Sequence, residues 1–182
     1  MDNKMLDKVA KPFNVELPEA EGLFDTLDKV LPAIRKHSED LREDEYYLRR
    51  NWIELRDDEG FHEVILHVFD DGGEYVRSTN GNIECGEWRM MNGKFVYGPS
   101  SCDAEVFDLA FLDEEFFILR KHGNSRLFDR RYHVFIIEPL SKRLEWNEAM
   151  EYLFDKYRNS NGFLITAALL LVLIVVLALL LS

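Results

Sequence analysis

The chain has 182 residues, enough for one domain with a real core and short for two. Its formal net charge is -12, from 34 acidic against 22 basic side chains, which excludes a general nucleic-acid binder, whose contact surface would be basic. Only two cysteines occur, Cys85 and Cys102, without metal-ligand spacing, so a disulfide-rich secreted scaffold is excluded and both read as reduced thiols.

Residues 1–45 form an acidic N-terminal segment with a helical pattern. Acids and bases are mixed at its start and no apolar run of seven or more follows, so no signal peptide is expected and the chain should stay on the cytosolic side. Leu23, Leu27, Val30, Leu31 and Ile34 line one face of an amphipathic helix, and Pro32 is expected to bend or divide it. The charged opposite face leaves two readings, a helix packed on the domain or a detachable arm that docks a partner.

Residues 46–138 change to short runs rich in aromatic and β-branched side chains, separated by turn chemistry. After a run around Trp52, 62–69 meets 75–79 across Asp70-Asp71-Gly72-Gly73, and 75–79 meets 83–90 across Asn80-Gly81, the strongest short hairpin signal. Asn92-Gly93 leads on to 94–97, and further runs follow at 105–111, 115–121 and 132–137. The predicted fold is α+β, mainly β: an antiparallel meander of about eight strands, either a small closed barrel or a curved sheet, flanked by an N-terminal and a C-terminal helix. The runs 64–69 and 116–119 are apolar on both faces, so both sides of the sheet should be covered there.

The stretch Phe69-Asp70-Asp71-Gly72-Gly73-Glu74-Tyr75, with Gly86-Glu87-Trp88-Arg89 and Asn92-Gly93, resembles the strand-turn-strand rhythm of small bacterial lipocalin-like, calycin-type domains. That resemblance covers about half of the chain and implies an up-and-down barrel with an apolar interior able to hold a ligand. The chain departs from the secreted or lipoprotein setting usual for such domains.

Residues 139–158 read as a second packing helix in which Trp146, Met150, Leu153, Phe154 and Tyr157 share a face, and 159–162 as a short flexible joint. From 163 to 181 the chain is apolar except for Thr166, about 28 Å as a helix at 1.5 Å per residue, close to the thickness of a bilayer's hydrocarbon core. This predicts one transmembrane tail anchor, carried by Phe163, Leu164, Ile165, Leu170, Leu171, Ile174, Leu177 and Leu181, inserted after synthesis. Lys156 and Arg158 precede the span and no basic residue follows, which orients the N-terminal domain toward the cytoplasm.

Motifs for a nucleophile, a phosphate loop or a zinc helix are missing, so the chain is not expected to be an enzyme, and no cofactor is expected. His62 and His67 lie five apart in a strand and point to opposite faces, while His133 alternates with apolar neighbours as a core or rim histidine does. Asp57-Asp58-Glu59, Asp70-Asp71 and Asp113-Glu114-Glu115 read as solvated turns, lacking calcium-loop spacing. A local excess of base, Arg120, Lys121, Arg126, Arg130 and Arg131, is either balance against neighbouring acids or an anion or lipid-headgroup site. A closed barrel lined by Trp52, Trp88, Tyr75, Phe95, Phe107 and Phe117 would form an apolar pocket.

The function expected first is a tail-anchored cytosolic binding or adaptor module that brings a protein or a small apolar ligand to a membrane, with no nucleic acid among its partners. The alternative is a membrane effector whose sensor domain triggers clustering of the tails and perturbation of the bilayer. No Gly-x-x-x-Gly pair in the span supports association through the tail, and the oligomeric state stays open.

Overall fold

A computed structural model describes residues 20–100, 102–123 and 130–158. Within them helix α1 (Leu23–Ile34) precedes eight strands, β1 (Trp52–Leu55), β2 (Ile65–Phe69), β3 (Glu74–Thr79), β4 (Asn82–Met91), β5 (Lys94–Gly98), β6 (Glu105–Leu112), β7 (Phe116–Lys121) and β8 (Tyr132–Ile137). A one-turn helix α2 (Glu138–Ser141) and helix α3 (Trp146–Arg158) follow. Each strand pairs antiparallel with its neighbour in sequence, and β8 returns to β1, closing the barrel. Of the two predicted architectures, the closed one is adopted.

The turn chemistry sets the hairpins. Asn80 and Gly81, and again Asn92 and Gly93, all take positive φ (49° and 89°, then 53° and 73°), the two-residue conformation whose twist matches that of the flanking strands. Between β2 and β3 the Asp71–Gly73 turn bends with Gly72 at φ 81°, and the Asp70 carboxylate accepts from the Asp71 N–H.

Alternation then sends every second side chain into the lumen. Trp52 pairs with Ile137 and His67, Phe69 with Tyr75, Trp88 with Tyr97, Phe95 with Phe107, and Phe117 with Phe135, so these eleven positions face inward together. A bulge between Leu109 and Phe111 shifts the register of β6, turning Phe111 outward while Leu112 faces the lumen. Tyr75 lies opposite Gly86, where any Cβ would meet the Tyr75 ring at 2.9 Å, so the missing side chain is what lets that ring lie across the strand.

One end of the barrel is plugged. The segment between α1 and β1 folds beneath it, tied to β6 by Leu112 N–H donating to Ser38 Oγ (2.9 Å) and Glu39 N–H donating to the Leu112 carbonyl (2.8 Å). Tyr47 stacks on Phe117 at 5.6 Å between ring centres and meets Phe95 and Trp88 edge-on at 5.5 and 5.7 Å. Phe69 sits centrally, with the rings of Phe95, Tyr75 and Tyr97 at 5.0, 5.1 and 5.3 Å. We call this the closed end.

A second core lies outside the barrel. Leu23, Leu27, Val30, Leu31 and Ile34 of α1 and Ala149, Met150, Leu153 and Phe154 of α3 pack on the outer faces of β6, β7 and β8. Both predicted helical faces are therefore buried on the domain. Pro32 lies in the last turn of α1, which ends at Ile34 and passes into a tighter turn, Arg35–His37, rather than dividing. Both helices cover the same wall, so β7 is covered on its outer side and β2 is not: Leu66 and Val68 are half-buried and Val64 is 58% exposed.

Among the described residues no helix is long and apolar enough to cross a membrane. Phe163, Leu164, Ile165, Leu170, Leu171, Ile174, Leu177 and Leu181, the expected anchor, lie outside the described residues, as does the predicted joint.

The packing around Phe69 makes it the most sensitive core position. Phe69→Ala should lower the unfolding free energy by about 3–5 kcal/mol in denaturant titration, whereas Ile83→Ala, at a site 70% exposed, should change it by less than about 0.5 kcal/mol.

Candidate functional site

Away from the plug the lumen changes character. Glu54, His67, Arg77, Tyr97, Glu105 and His133 point inward near the opposite end of the barrel, where the described residues leave a cavity of about 280 Å³. Arg56, Arg130, Gly98, Pro99 and Asp103 also line it. The volume is that of roughly nine waters, at the low end for ligand sites and suited to a metabolite rather than a lipid chain.

Glu54 is the most buried charge lining the cavity, 7% exposed, and both of its oxygens are engaged. Arg56 Nε donates to Oε1 at 2.8 Å, and His67 Nε2 lies 3.1 Å from Oε2. Burial by itself would raise the Glu54 carboxyl, but the hydrogen bonds from His67 and Arg56 outweigh it and hold the group at about 2. An ionised carboxylate only accepts, so His67 Nε2 carries the proton and donates. His67 is itself 3% exposed and burial pushes it down, keeping it neutral, so its Nδ1 accepts from the Tyr75 hydroxyl at 2.7 Å. The result is a buried chain, Tyr75 to His67 to Glu54, with every proton assigned.

A second pair stands beside it. The Tyr97 hydroxyl bonds His133 Nδ1, and burial lowers His133 to about 4, so the ring is neutral. Donation by the Tyr97 O–H satisfies the fully buried hydroxyl and places the His133 proton on Nε2. That nitrogen makes no hydrogen bond among the described residues. Burial raises the hydroxyls of Tyr75 and Tyr97 well above the usual phenol range, so both keep their protons. The first chain has the order of groups that lets a histidine take a hydroxyl proton while a carboxylate stabilises the imidazolium, and the second offers a fixed N–H donor.

The residues singled out in the sequence are distributed as follows. Trp52, Trp88, Tyr75, Phe95, Phe107 and Phe117 all face the lumen, where they pack in the aromatic cluster, and of these six Tyr75 borders the cavity. The interior is thus apolar toward the closed end and polar toward the mouth. The basic run divides by strand parity. Arg120 lines a shallow groove against α1 with Asp28 and Tyr132, and Arg131 pairs with Asp28 at 2.6 Å. Lys121 bonds Glu105, Arg130 reaches the mouth and pairs with Asp58, and Arg126 lies outside the described residues. Glu54 and the partnering of His67 with Tyr75 have no local signal, since a four-residue strand shows too little alternation to mark its inward carboxylate. Among the described residues no three His, Cys, Asp or Glu side chains are grouped to hold a metal ion.

No protein-family model, curated protein or solved structure matches this chain.

The buried neutral histidines give the fold a definite pH dependence. Below about pH 6.5 the unfolded chain protonates both, while folded His133 resists down to about 4, so stability should fall as pH drops through that window. The Glu54 contribution is complete above 4.5 and is lost only as pH falls toward about 2. In denaturant titrations the protein should lose about 2 kcal/mol through His133 between pH 6.5 and pH 5, and His133→Gln should flatten that slope.

Proposed function

We propose that this protein is a membrane-tethered binding module whose barrel mouth takes a small polar ligand. The observation that carries this reading is the cavity itself: buried hydrogen-bonding groups in fixed protonation states around about 280 Å³ of space. A barrel serving only as a scaffold would gain more stability from filling that end with apolar side chains, as it fills the other. The clustering of perturbed titratable groups in one cleft points the same way.

Tethering is the part assigned to residues 163–181, whose length and apolarity suit a single span. Where α3 ends bears on the geometry. Lys156 and Tyr157 donate to Asp113 Oδ2 at 2.9 and 2.5 Å, and Asp113 lies in the β6–β7 turn at the closed end. A span leaving from there puts the mouth on the far side of the domain, open to the aqueous phase. The lumen's polarity replaces the apolar ligand implied by the lipocalin-like resemblance with a polar one.

Two measurements test the two halves. Native mass spectrometry of the full chain from its own host should show a small mass that is lost on denaturation and absent from His133→Leu, with folding confirmed by circular dichroism. A bare chain, or a mass retained in the variant, removes the mouth as the site. In alkaline extraction of membranes the full chain should stay in the pellet and a chain ending at residue 158 should be released; release of both removes the tether.

A further inference from the structure

The hydrogen-bonding inventory of the mouth is unequal. Three guanidinium groups line the cavity from three elements: Arg56 just after β1, Arg77 on β3 and Arg130 just before β8. Arg56 commits its Nε to Glu54, its guanidinium carbon stands over the Phe61 ring, 4.7 Å from the centre, and its terminal N–H groups make no hydrogen bond among the described residues. Arg130 pairs with Asp58, and its second terminal nitrogen stands 3.6 Å from Glu54, too far for a hydrogen bond. His133 Nε2–H adds a neutral donor to the same wall.

Acceptors are differently placed. Glu54 has both oxygens occupied. Glu84 and Glu105, paired with Arg77 and Lys121, are 60% and 43% exposed, and Asp103 accepts from Ser100 on the rim. Ion pairs this exposed contribute little, so Arg77 can exchange Glu84, and Arg130 can exchange the half-exposed Asp58, for a better partner. The deep Glu54 pair cannot be exchanged on the same terms, because losing Arg56 would leave a buried charge uncompensated. The Arg56 and Arg130 side chains, 20% and 32% exposed, thus lie deeper than those of Glu84 and Glu105, and Arg77, 44% exposed, is level with Glu105.

We propose that the mouth binds a small ligand through an oxyanion, a carboxylate or a phosphate, seated between the forks of Arg56, Arg77 and Arg130 with His133 Nε2–H as a fourth contact. Planar forks suit both anions through paired hydrogen bonds. The carboxylates of Glu84, Asp103 and Glu105 in the same lining select against long polyanions and admit one anionic group on a compact body. This inference rests on the mouth being a binding site and adds to it the sign of the ligand's charge.

The test uses four phenyl probes, the planar benzoate, benzamide (neutral) and benzamidinium (cationic) and the tetrahedral phenyl phosphate, titrated by ligand-observed NMR against the full chain in detergent. Benzoate or phenyl phosphate should bind at least tenfold more tightly than benzamide and benzamidinium, and the tighter of the two identifies carboxylate or phosphate as the anion. The double variant Arg77→Gln, Arg130→Gln should weaken the anion at least tenfold and leave benzamide unchanged. It keeps Arg56 on Glu54, so the buried carboxylate stays compensated, and Arg130→Lys should restore part of the affinity.

Equal affinity for all four probes, or preference for benzamidinium, overturns the anion assignment, and if that binding disappears in His133→Leu the mouth still stands as the site. Anion binding untouched by the double variant overturns it too, by placing the anion elsewhere. If none of the probes binds, the assignment falls, and the native mass measurement decides separately whether the mouth holds anything.

Discussion

Closure of the barrel is the constraint on which everything else depends. β1 has four residues, pairs with β8 along all of them, and meets β2 through only Trp52 and Ile53. That short strand fixes which side chains of the first and last strands face inward. Sliding it by one residue would turn Trp52 and Glu54 to the outside and bring Ile53 and Leu55 in, removing at once the floor of the aromatic cluster and the carboxylate of the mouth. A closed sheet also has no edge, so the strands need no charged or bulged guard against pairing with another chain.

Given closure, the lumen has a fixed amount of space and two solutions to filling it. At the plugged end large rings interlock around Phe69, with Tyr47 supplied from outside the barrel and Trp52 Nε1–H satisfied by the Tyr47 carbonyl at 3.0 Å. At the mouth a carboxylate, two histidines and two phenols occupy positions where apolar side chains would be cheaper. Desolvating Glu54 costs several kcal/mol before its partners offset it, and a buried charged network of this kind adds little net stability. Its presence supports a binding role for the mouth, since closure of the barrel does not require it.

Much of the architecture could be read along the chain because it rests on local signals. The Asn-Gly pairs mark hairpins whose turn conformation few other residues adopt, and the faces of α1 and α3 follow from helical spacing. Barrel against open sheet could not be read, because it depends on Trp52 meeting Ile137 across the whole β domain. The mouth was hidden for the same reason. His67 invites comparison with His62, its neighbour in sequence, while its partners Glu54 and Tyr75 sit on adjacent strands. The basic run shows the converse error of adjacency: Arg120 and Lys121 are consecutive, yet strand parity sends one to the α1 groove and the other to the lumen.

The contact at the C-terminal end of α3 connects these two halves of the problem. Asp113 accepts from the N–H groups of Glu115 and Phe116 at 2.7 and 2.6 Å through one oxygen, and from Lys156 and Tyr157 through the other. One buried carboxylate thus holds both the β6–β7 turn and the final turn of α3, and Lys156 bonds Glu115 as well, at 2.6 Å. If 163–181 enters a bilayer, this clamp sets the end of the barrel that faces it, and that end is plugged by aromatic rings. A ligand presented by headgroups would then have to travel around the domain, whereas one dissolved in water meets the mouth directly. Under the proposed tether the arrangement therefore suits a ligand taken from the aqueous phase.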